Sequence, residues 1–183
     1  MFENLREDWV MSGRDISRLG LWVMTVYRFG RWRYTLKPRA VRMPFSFLYK
    51  VLKVFSEVLT GVELPCEVII GRRFKIEHVG AIVIHGDTVF GDDVIIRQGV
   101  TTGVRNTGTQ AAPKIGNRVD IGAGAKILGA ITIGDDVVIG ANAVVLQDVP
   151  SNSLAVGVPA RIISRAKAES VAPGPGRGGQ SAA

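Results

Sequence analysis

The chain has little of what disulfide and metal chemistry needs. Its 183 residues include one cysteine, Cys66, and two histidines, His78 and His85. A single thiol excludes an intrachain disulfide and a cysteine-rich metal site. The two histidines have no histidine partner at metal-binding spacing, so the sequence predicts no metal site. We expect Cys66 to be a buried free thiol.

Long apolar runs are also missing. No apolar run reaches about 18 residues, the length that a membrane-spanning helix needs, and no cleavable signal pattern opens the chain. We therefore expect a cytoplasmic protein. The stretch 168–183 is rich in proline, glycine and alanine and has no large apolar side chain, so we expect it to be disordered.

The net charge of +7 is concentrated near the start of the chain. Residues 14–53 carry ten lysines and arginines against a single acidic residue, Asp15. Aromatic side chains are interleaved with these cations, and apolar residues recur at helical spacing over 48–59. The sequence predicts a basic helical N-terminal region, residues 1–61, in which Pro38 and Pro44 separate short helices.

This region has three interpretations. One is a helical cap that shields the open end of the neighbouring domain. A second is a peripheral contact with the inner face of a membrane, because basic residues together with Trp and Phe suit an anionic interface. The third is nucleic-acid binding. No recognised nucleic-acid motif accompanies the charge and the aromatic spacing is helical, so we expect no nucleic-acid partner.

A strict period of six residues runs through the rest of the chain. Aliphatic residues head successive hexads at Ile115, Ile121, Ile127, Ile133, Ile139 and Val145. A second apolar series lies four residues further on, at Val119, Ala125, Ile131, Val137, Ala143 and Val149. A period of six fits neither a helix nor a hairpin. It is typical of a left-handed parallel β-helix, in which each hexad forms one side of a triangular prism and both series point inward.

The same period extends back towards residue 62 with two interruptions. It slips by two residues after Ile82 and resumes at Ile84. About seven extra residues are looped out within 103–114. We expect a mainly β domain over 62–167, of roughly five coils. A long loop in so regular a repeat is more often functional than decorative.

Several short segments carry a more specific signal. They read Val62-Glu63-Leu64-Pro65, Ile76-Glu77-His78, Gln98-Gly99-Val100-Thr101, Pro113-Lys114-Ile115-Gly116, and the longer stretches IGAGAKILG at 121–129 and AVGVPAR at 155–161. Together they resemble the hexapeptide-repeat acyltransferases, most closely the serine O-acetyltransferase group and its relatives in exopolysaccharide gene clusters. The resemblance implies a CoA-dependent O-acetyltransferase that forms homotrimers with active sites between subunits.

The resemblance also implies a catalytic pair. In that group a histidine after an acidic residue is the general base, and an acidic residue fifteen positions upstream orients it. The matching residues are His78 as base, Glu63 as its orienting carboxylate and Glu77 as an acceptor-side contact. An imidazole titrates near neutral pH, so it can take a hydroxyl proton as the oxygen attacks a thioester. Both glutamates stand where the group usually has aspartates.

Two further residues are candidates for the acceptor pocket. Gln98 lies in one of the segments that carry the resemblance, and His85 lies close to the register slip. For His85 the alternative is an exposed or hydrogen-bonded residue at an edge of the prism, without a role in binding.

The acceptor predicted from the loop is not serine. The serine-specific enzymes place an Arg-His pair just before the proline that ends the loop, where it grips the carboxylate of the amino acid. Here Ala111 and Ala112 precede Pro113 and offer neither charge nor hydrogen-bond donor. The helical region is also shorter than in those enzymes. We therefore prefer a sugar hydroxyl of a polysaccharide or its precursor, with serine O-acetylation in cysteine biosynthesis as the alternative.

The donor implied by the resemblance is acetyl-CoA, with its pantetheine arm in a groove between adjacent prisms. The matching small residues are Gly103, Ala123, Gly124 and Ala141, and Lys126 and Arg161 are candidates for the CoA phosphates. Tight coils require glycine and alanine as well, so both explanations stay open at each position. A backbone N–H near Gly103 is a candidate oxyanion donor.

A non-catalytic β-helix scaffold is the alternative from another functional class. A scaffold needs neither the pairing of Glu63 with His78 nor the inserted loop. A carbonic anhydrase on the same prism would need three histidines, and the sequence has two.

Overall fold

The computed structural model describes residues 2–106 and 111–164. The centre of the inserted loop and the stretch 168–183 that was predicted to be disordered lie outside the described residues. The helices are α1 (Phe2–Met11), α2 (Leu19–Trp32) and α3 (Arg39–Thr60), with a 3₁₀ turn at Arg33–Thr35 between the last two. Fifteen strands follow within the described residues: β1 (Val62–Glu63), β2 (Ile69–Ile70), β3 (Lys75–Ile76), β4 (Ile82–Ile84), β5 (Val89–Phe90), β6 (Ile95–Ile96), β7 (Thr101–Gly103), β8 (Lys114–Ile115), β9 (Asp120–Ile121), β10 (Lys126–Leu128), β11 (Thr132–Ile133), β12 (Val138–Ile139), β13 (Val144–Val145), β14 (Ser153–Val156) and β15 (Arg161–Ser164).

The strands wind into a prism with three faces. A strand pairs in parallel with the strand three further along the chain. The first face is β1–β4–β7–β10–β13, the second is β2–β5–β8–β11, and the third is β3–β6–β9–β12–β14. β15 returns antiparallel to β14 and closes the third face. This is the left-handed parallel β-helix predicted from the six-residue period.

Both predicted series of apolar side chains point into the prism. In the first series, register partners stack directly on each other, as in the column Ile76, Ile96, Ile121, Ile139 and Ala155. Each of these five residues is at most 4% exposed. The second series is buried as well. Each coil therefore removes apolar surface from water only because its neighbours cover it, as in other repeat proteins.

The spacing of register partners gives the positions of the two interruptions of the period. Ile127 and its register partner Val145 lie 18 residues apart, whereas Thr102 and Ile127 lie 25 apart. The difference is the seven-residue loop. Val62 and Ile82 lie 20 apart, and the two extra residues fall between strands β3 and β4, at 77–81.

The predicted position of the two-residue slip was therefore wrong. It lies before Ile82, not after it. Ile82 is fully buried and continues the second apolar series, while Ile84 continues the first through its register partner Thr102. The extra residues lengthen the bend that carries His78.

Three corners connect the faces, and we name each by its content. The Arg/Asp corner joins the second face to the third (71–74, 91–94, 116–119 and 134–137). The His78 corner joins the third to the first (77–81, 97–100, 122–125 and 140–143). The loop corner joins the first to the second and includes 85–88 and the inserted loop.

The Arg/Asp corner is a structural ladder. Arg73 donates two hydrogen bonds to Asp93, of 2.6 and 2.7 Å, and Arg118 does the same to Asp136, at 2.7 Å each. These residues have positive φ angles of 53–60°, which Asp tolerates better than most side chains. The aspartates thus serve the turn.

The Arg73–Asp93 pair predicts a pH-dependent stability. The hydrogen bonds from Arg73 hold the pKa of Asp93 below its ordinary value, so its contribution is present at neutral pH and is lost as pH falls below about 4. We expect Asp93→Asn, which keeps the turn, to lower stability by about 0.5–1 kcal/mol at pH 7. Thermal melts from pH 7 to pH 3 check this. The difference should shrink at low pH, and a constant difference would contradict it.

Helix α2 packs on the first coil of the prism. Gly20 allows the contact, since a Cβ there would lie 2.2 Å from the carbonyl oxygen of Ile76. Arg28 is buried, pairs with Asp8 at 3.0 Å and donates to the backbone carbonyl of Ile70. Arg33 is buried against Tyr49, with its guanidinium 4.4 Å from the ring centroid. Part of the basic charge therefore holds the helices on the prism, as a cap would.

Helix α3 corrects the prediction for the two prolines. Pro38 precedes the helix, as expected, but Pro44 lies inside it. A proline in a helix removes one backbone hydrogen bond. Here the apolar pattern continues on both sides of Pro44, so the helix does too.

None of the helices in the described residues combines the length and the apolar composition that a membrane span requires.

Candidate active site

His78 projects from the prism rather than into it. Strand β3 ends at Ile76, and the chain bends through 77–81 before β4 begins. Ile76 is buried and His78 is exposed. The corner turns the imidazole out of the apolar interior, as it turns out Gln98 one coil further along, and an unpaired polar ring inside would be costly. Within the described part of the chain the imidazole makes no hydrogen bond or ion pair, so it is available to a ligand.

Glu63 lies near the same corner, on the first strand of the first face. Its register partner is Val83, and the preceding residue Val62 pairs with Ile82. The carboxylate is exposed. The structure does not place Glu63 within hydrogen-bond distance of His78. Both side chains are exposed, and their roles stay predictions.

Glu77 belongs to a chain of ion pairs that the sequence did not reveal. One carboxylate oxygen lies 3.0 Å from the Lys75 ammonium and the other 3.0 Å from the Arg97 guanidinium. Arg97 also pairs with Asp120 on the next coil. The hydrogen bond from Lys75, and then the charges of Lys75 and Arg97, hold the pKa of Glu77 below its ordinary value.

This ion-pair chain could be found only once the coil length was known. Lys75, Arg97 and Asp120 are far apart in sequence, and no motif joins them. The register pairs Lys75 with Ile95 and Ile95 with Asp120, which brings the charged side chains together along the edge beside His78. Glu77 is thus fixed as an anion at this corner.

Gln98 and His85 fall at different corners. Gln98 is exposed on the His78 corner, one coil further along, where its carbonyl accepts a hydrogen bond from the N–H of Gly124. His85 follows β4 at the loop corner. Its Nδ1 accepts a hydrogen bond of 3.3 Å from the N–H of Asp87. Because β4 spans about 10 Å, a single chain keeps His85 and His78 at opposite ends of the first face.

The remaining coils of the His78 corner carry small residues. Ala123 and Gly124 occupy it on the third coil, and Ala141 on the fourth. The N–H of Asn142 donates to the carbonyl of Ala123 at 2.8 Å, which joins these two coils at the corner. The structure therefore lines up His78, Gln98 and three of the predicted CoA-binding residues along one corner.

The structure distinguishes the two explanations for two of the glycines. Gly124 has a φ of +73°, and a Cβ there would lie 2.1 Å from Oδ1 of Asn142. The coil itself requires that glycine. Gly103 has an ordinary φ, and its Cβ would meet only Leu128, at 3.8 Å. Nothing in the described chain demands a glycine at 103, which leaves close approach by a ligand or a second chain as a reason for it.

The two cations predicted for CoA phosphates differ in their surroundings. Lys126 is half-buried, and its ammonium donates to the carbonyl of Gly99 at 2.5 Å and to the Thr101 hydroxyl at 3.0 Å. These bonds brace the second and third coils and leave Lys126 little freedom. Arg161 is exposed at the start of β15. It borders a cavity of about 460 Å³ formed by residues 156–161.

Residues 111–113, which lead from the inserted loop into strand β8, have no charged side chain. Ala111 is half-buried, and Ala112 is 8% exposed, packed against the prism. Pro113 follows and leads into β8. Neither alanine can hold a carboxylate, so the loop end presents backbone and apolar surface.

The chain is similar to known proteins of one family. Residues 112–147 match the family model for the bacterial transferase hexapeptide (six repeats). The serine acetyltransferase of Helicobacter pylori (strain J99) is 45% identical over 135 residues, 72% of this chain and 78% of that protein. The putative colanic acid biosynthesis acetyltransferase WcaB of Escherichia coli (strain K12) is 46% identical over 119 residues, 65% of this chain and 72% of that protein.

Solved structures of serine acetyltransferases are similar to this chain as well. The serine acetyltransferase from Brucella abortus strain S19 superposes with a TM-score of 0.76 and 30% identity, and the match covers 89% of this chain and 68% of that one. A serine acetyltransferase in complex with CoA superposes with a TM-score of 0.69 and 36% identity, over 81% of this chain and 58% of that one.

The chain belongs to the hexapeptide-repeat acyltransferases. Within them it is of the serine acetyltransferase type, and it is an enzyme rather than a scaffold.

Proposed function

We propose that this enzyme transfers the acetyl group of acetyl-CoA to a hydroxyl of a sugar, in a polysaccharide or its precursor. Acetyl-CoA as donor is supported by the solved serine acetyltransferases that hold CoA. The sugar acceptor rests on one observation, the uncharged residues 111–113 before strand β8, with their buried Ala112. A sugar hydroxyl needs no cation beside it, whereas the carboxylate of serine does.

The proposed chemistry uses His78 as base. One imidazole nitrogen takes the proton of the acceptor hydroxyl as its oxygen attacks the thioester carbonyl. The tetrahedral intermediate then expels the CoA thiolate, and the imidazolium returns the proton to that sulfur. The proposal requires the exposed Glu63 side chain to turn towards His78, where its carboxylate accepts a hydrogen bond from the other ring nitrogen and stabilises the imidazolium. Glu77, held in place by Lys75 and Arg97, is the proposed contact on the acceptor side.

The proposed active site lies between two chains of a homotrimer. In one chain the His78 corner carries the base and the small residues, while Gly103, His85 and the loop lie at the opposite end of the first face. Packing the loop corner of one prism beside the His78 corner of the next brings the two sets together. The pantetheine arm then lies along Ala123, Gly124 and Ala141, opposite Gly103 of the second chain.

This arrangement predicts different effects at two glycines. Gly103→Ala should leave thermal stability unchanged, because its methyl group has room, but raise KM for acetyl-CoA by about tenfold, the effect of one lost hydrogen bond to the ligand. Gly124→Ala should instead lower stability by about 1–3 kcal/mol, since its φ and the Asn142 side chain both oppose a Cβ.

Thermal melts and steady-state kinetics on the two variants separate these effects. An unchanged KM in Gly103→Ala would remove Gly103 from the donor site. A loss of stability there would mean that the coil itself needs the glycine.

The acceptor is tested by measuring CoA release from acetyl-CoA with L-serine and with nucleotide-linked, lipid-linked and polymeric saccharides in parallel. We expect kcat/KM to be at least about 100-fold higher for a saccharide than for serine, the discrimination that loss of a charged anchor produces. Fast acetylation of serine would overturn the sugar proposal. The serine alternative stays the second candidate because the Helicobacter pylori relative carries that name.

A further inference from the structure

Helix α3 has a wide apolar side that nothing in the described chain covers. At 100° per residue, one side of about 160° holds only apolar residues. They are Ala40, Val41, Met43, Pro44, Phe47, Leu48, Val51, Val54, Phe55, Val58 and Leu59, and all are exposed. The exposed fraction reaches 72% at Phe47 and 79% at Val58. Over 22 residues this side is about 33 Å long, far more than scattered surface apolar residues provide.

Cations border and back this apolar side. Lys50 and Arg39 lie beside one edge and are exposed, and Arg42 and Lys53 lie on the opposite side of the helix. Glu57 is the one acidic residue in α3, and Lys53 engages it at 2.5 Å. The exposed charge along the helix is therefore positive. A wide apolar side with Phe and Leu and a basic polar side is the composition of helices that lie in the plane of a membrane interface.

We propose that α3 lies on an anionic lipid surface, with its apolar side among the acyl chains and its cations at the headgroups. Charge favours this occupant over a second copy of the chain. Two copies paired antiparallel through this side would place Lys50, at the middle of the helix, near its own counterpart, and α3 has no free carboxylate to receive Lys50 or Arg39. Phosphate headgroups complement those cations, at roughly 1 kcal/mol per residue near such a surface.

The helix ends at the corner that carries His78. The carbonyl of Gly61, directly after α3, accepts a hydrogen bond of 3.0 Å from the N–H of Ile82, and Gly61 lies against Ala81. A lipid-bound α3 would hold the His78 corner near the membrane, where a lipid-linked saccharide has its sugar. This last step rests on the proposed function, whereas lipid binding itself does not.

Sedimentation of the full chain with vesicles tests the proposal, without substrates. One set of vesicles contains phosphatidylglycerol and phosphatidylcholine at about 3:7, and the other phosphatidylcholine alone. We expect binding to the anionic vesicles, weakened at high salt, and little binding to the neutral ones. Phe47→Gln/Val58→Gln should bind at least about tenfold more weakly, because two apolar side chains no longer enter the bilayer.

The matched control is Val10→Gln/Ile16→Gln, which changes two exposed apolar residues outside α3 and should bind like the wild type. Circular dichroism checks that both variants keep their helices. Equal binding by the α3 variant, or no binding by the wild type, would overturn the proposal. So would a molecular mass in solution that falls in the α3 variant alone, since a second copy would then cover this side. Turnover of soluble saccharides tests the proposed function separately.

Discussion

We expect His78→Ala to lower kcat for acetyl transfer by about 10²–10⁴-fold, the usual contribution of a general base. KM for acetyl-CoA should change little, because the donor groove lies along other coils of the same corner. His78 is exposed and makes no hydrogen bond within the described chain, so its removal should leave stability unchanged. Initial rates of CoA release and a thermal melt measure both effects.

Binding measurements show whether a lower kcat comes from the lost base or from misfolding. Calorimetry should show that the His78→Ala protein still binds CoA with an affinity close to that of the wild type. The kcat of Glu63→Gln should lie between those of the wild type and His78→Ala, because this substitution removes the orienting charge and keeps the base. Wild-type turnover in His78→Ala would show that another group takes the proton.

We expect Gly20→Ala to cost about 2–4 kcal/mol of stability, as overpacking against backbone does. The added methyl group would lie 2.2 Å from the Ile76 carbonyl oxygen, so either α2 must lift from the prism or the strand must move. Ile76 is two residues from His78, and kcat should therefore fall as well. Gly86→Ala, where the nearest atom is 3.7 Å away, is the matched control.

Thermal melts of the two variants at equal protein concentration test this contact. A Gly20→Ala protein as stable as Gly86→Ala would show that α2 does not rest on the first coil in solution.

The interior of the prism could be predicted from sequence because its register repeats. Residues six positions apart occupy the same inward environment, so the six-residue period predicts both apolar series and the length of the loop. The predicted position of the two-residue slip is wrong because Ile82 and Ile84 are both buried, and either one fits the first apolar series. Only the pairing of Val83 with Thr101 shows which series each continues.

The candidate site was less accessible to sequence reasoning. The resemblance indicated His78 and Glu63, but no spacing rule joins Lys75, Arg97 and Asp120 before the coils are stacked. The local preference of proline predicts a helix break at Pro44, whereas the apolar pattern of α3 continues past it and the helix does too. The exposed side of that helix was visible as periodicity, yet sequence alone does not say which apolar side a prism covers.

The proposed active site is built from the His78 corner of one chain and the loop corner of the next. Mixing two impaired proteins, His78→Ala and Gly103→Leu, and letting their subunits exchange tests whether two chains share it. In a cyclic trimer about a quarter of the interfaces would then pair an intact His78 with an intact Gly103. We predict that acetyl transfer recovers to about a quarter of the wild-type rate. Activity that stays at the level of the two parent variants, with mixed trimers confirmed by mass spectrometry, would contradict a shared site.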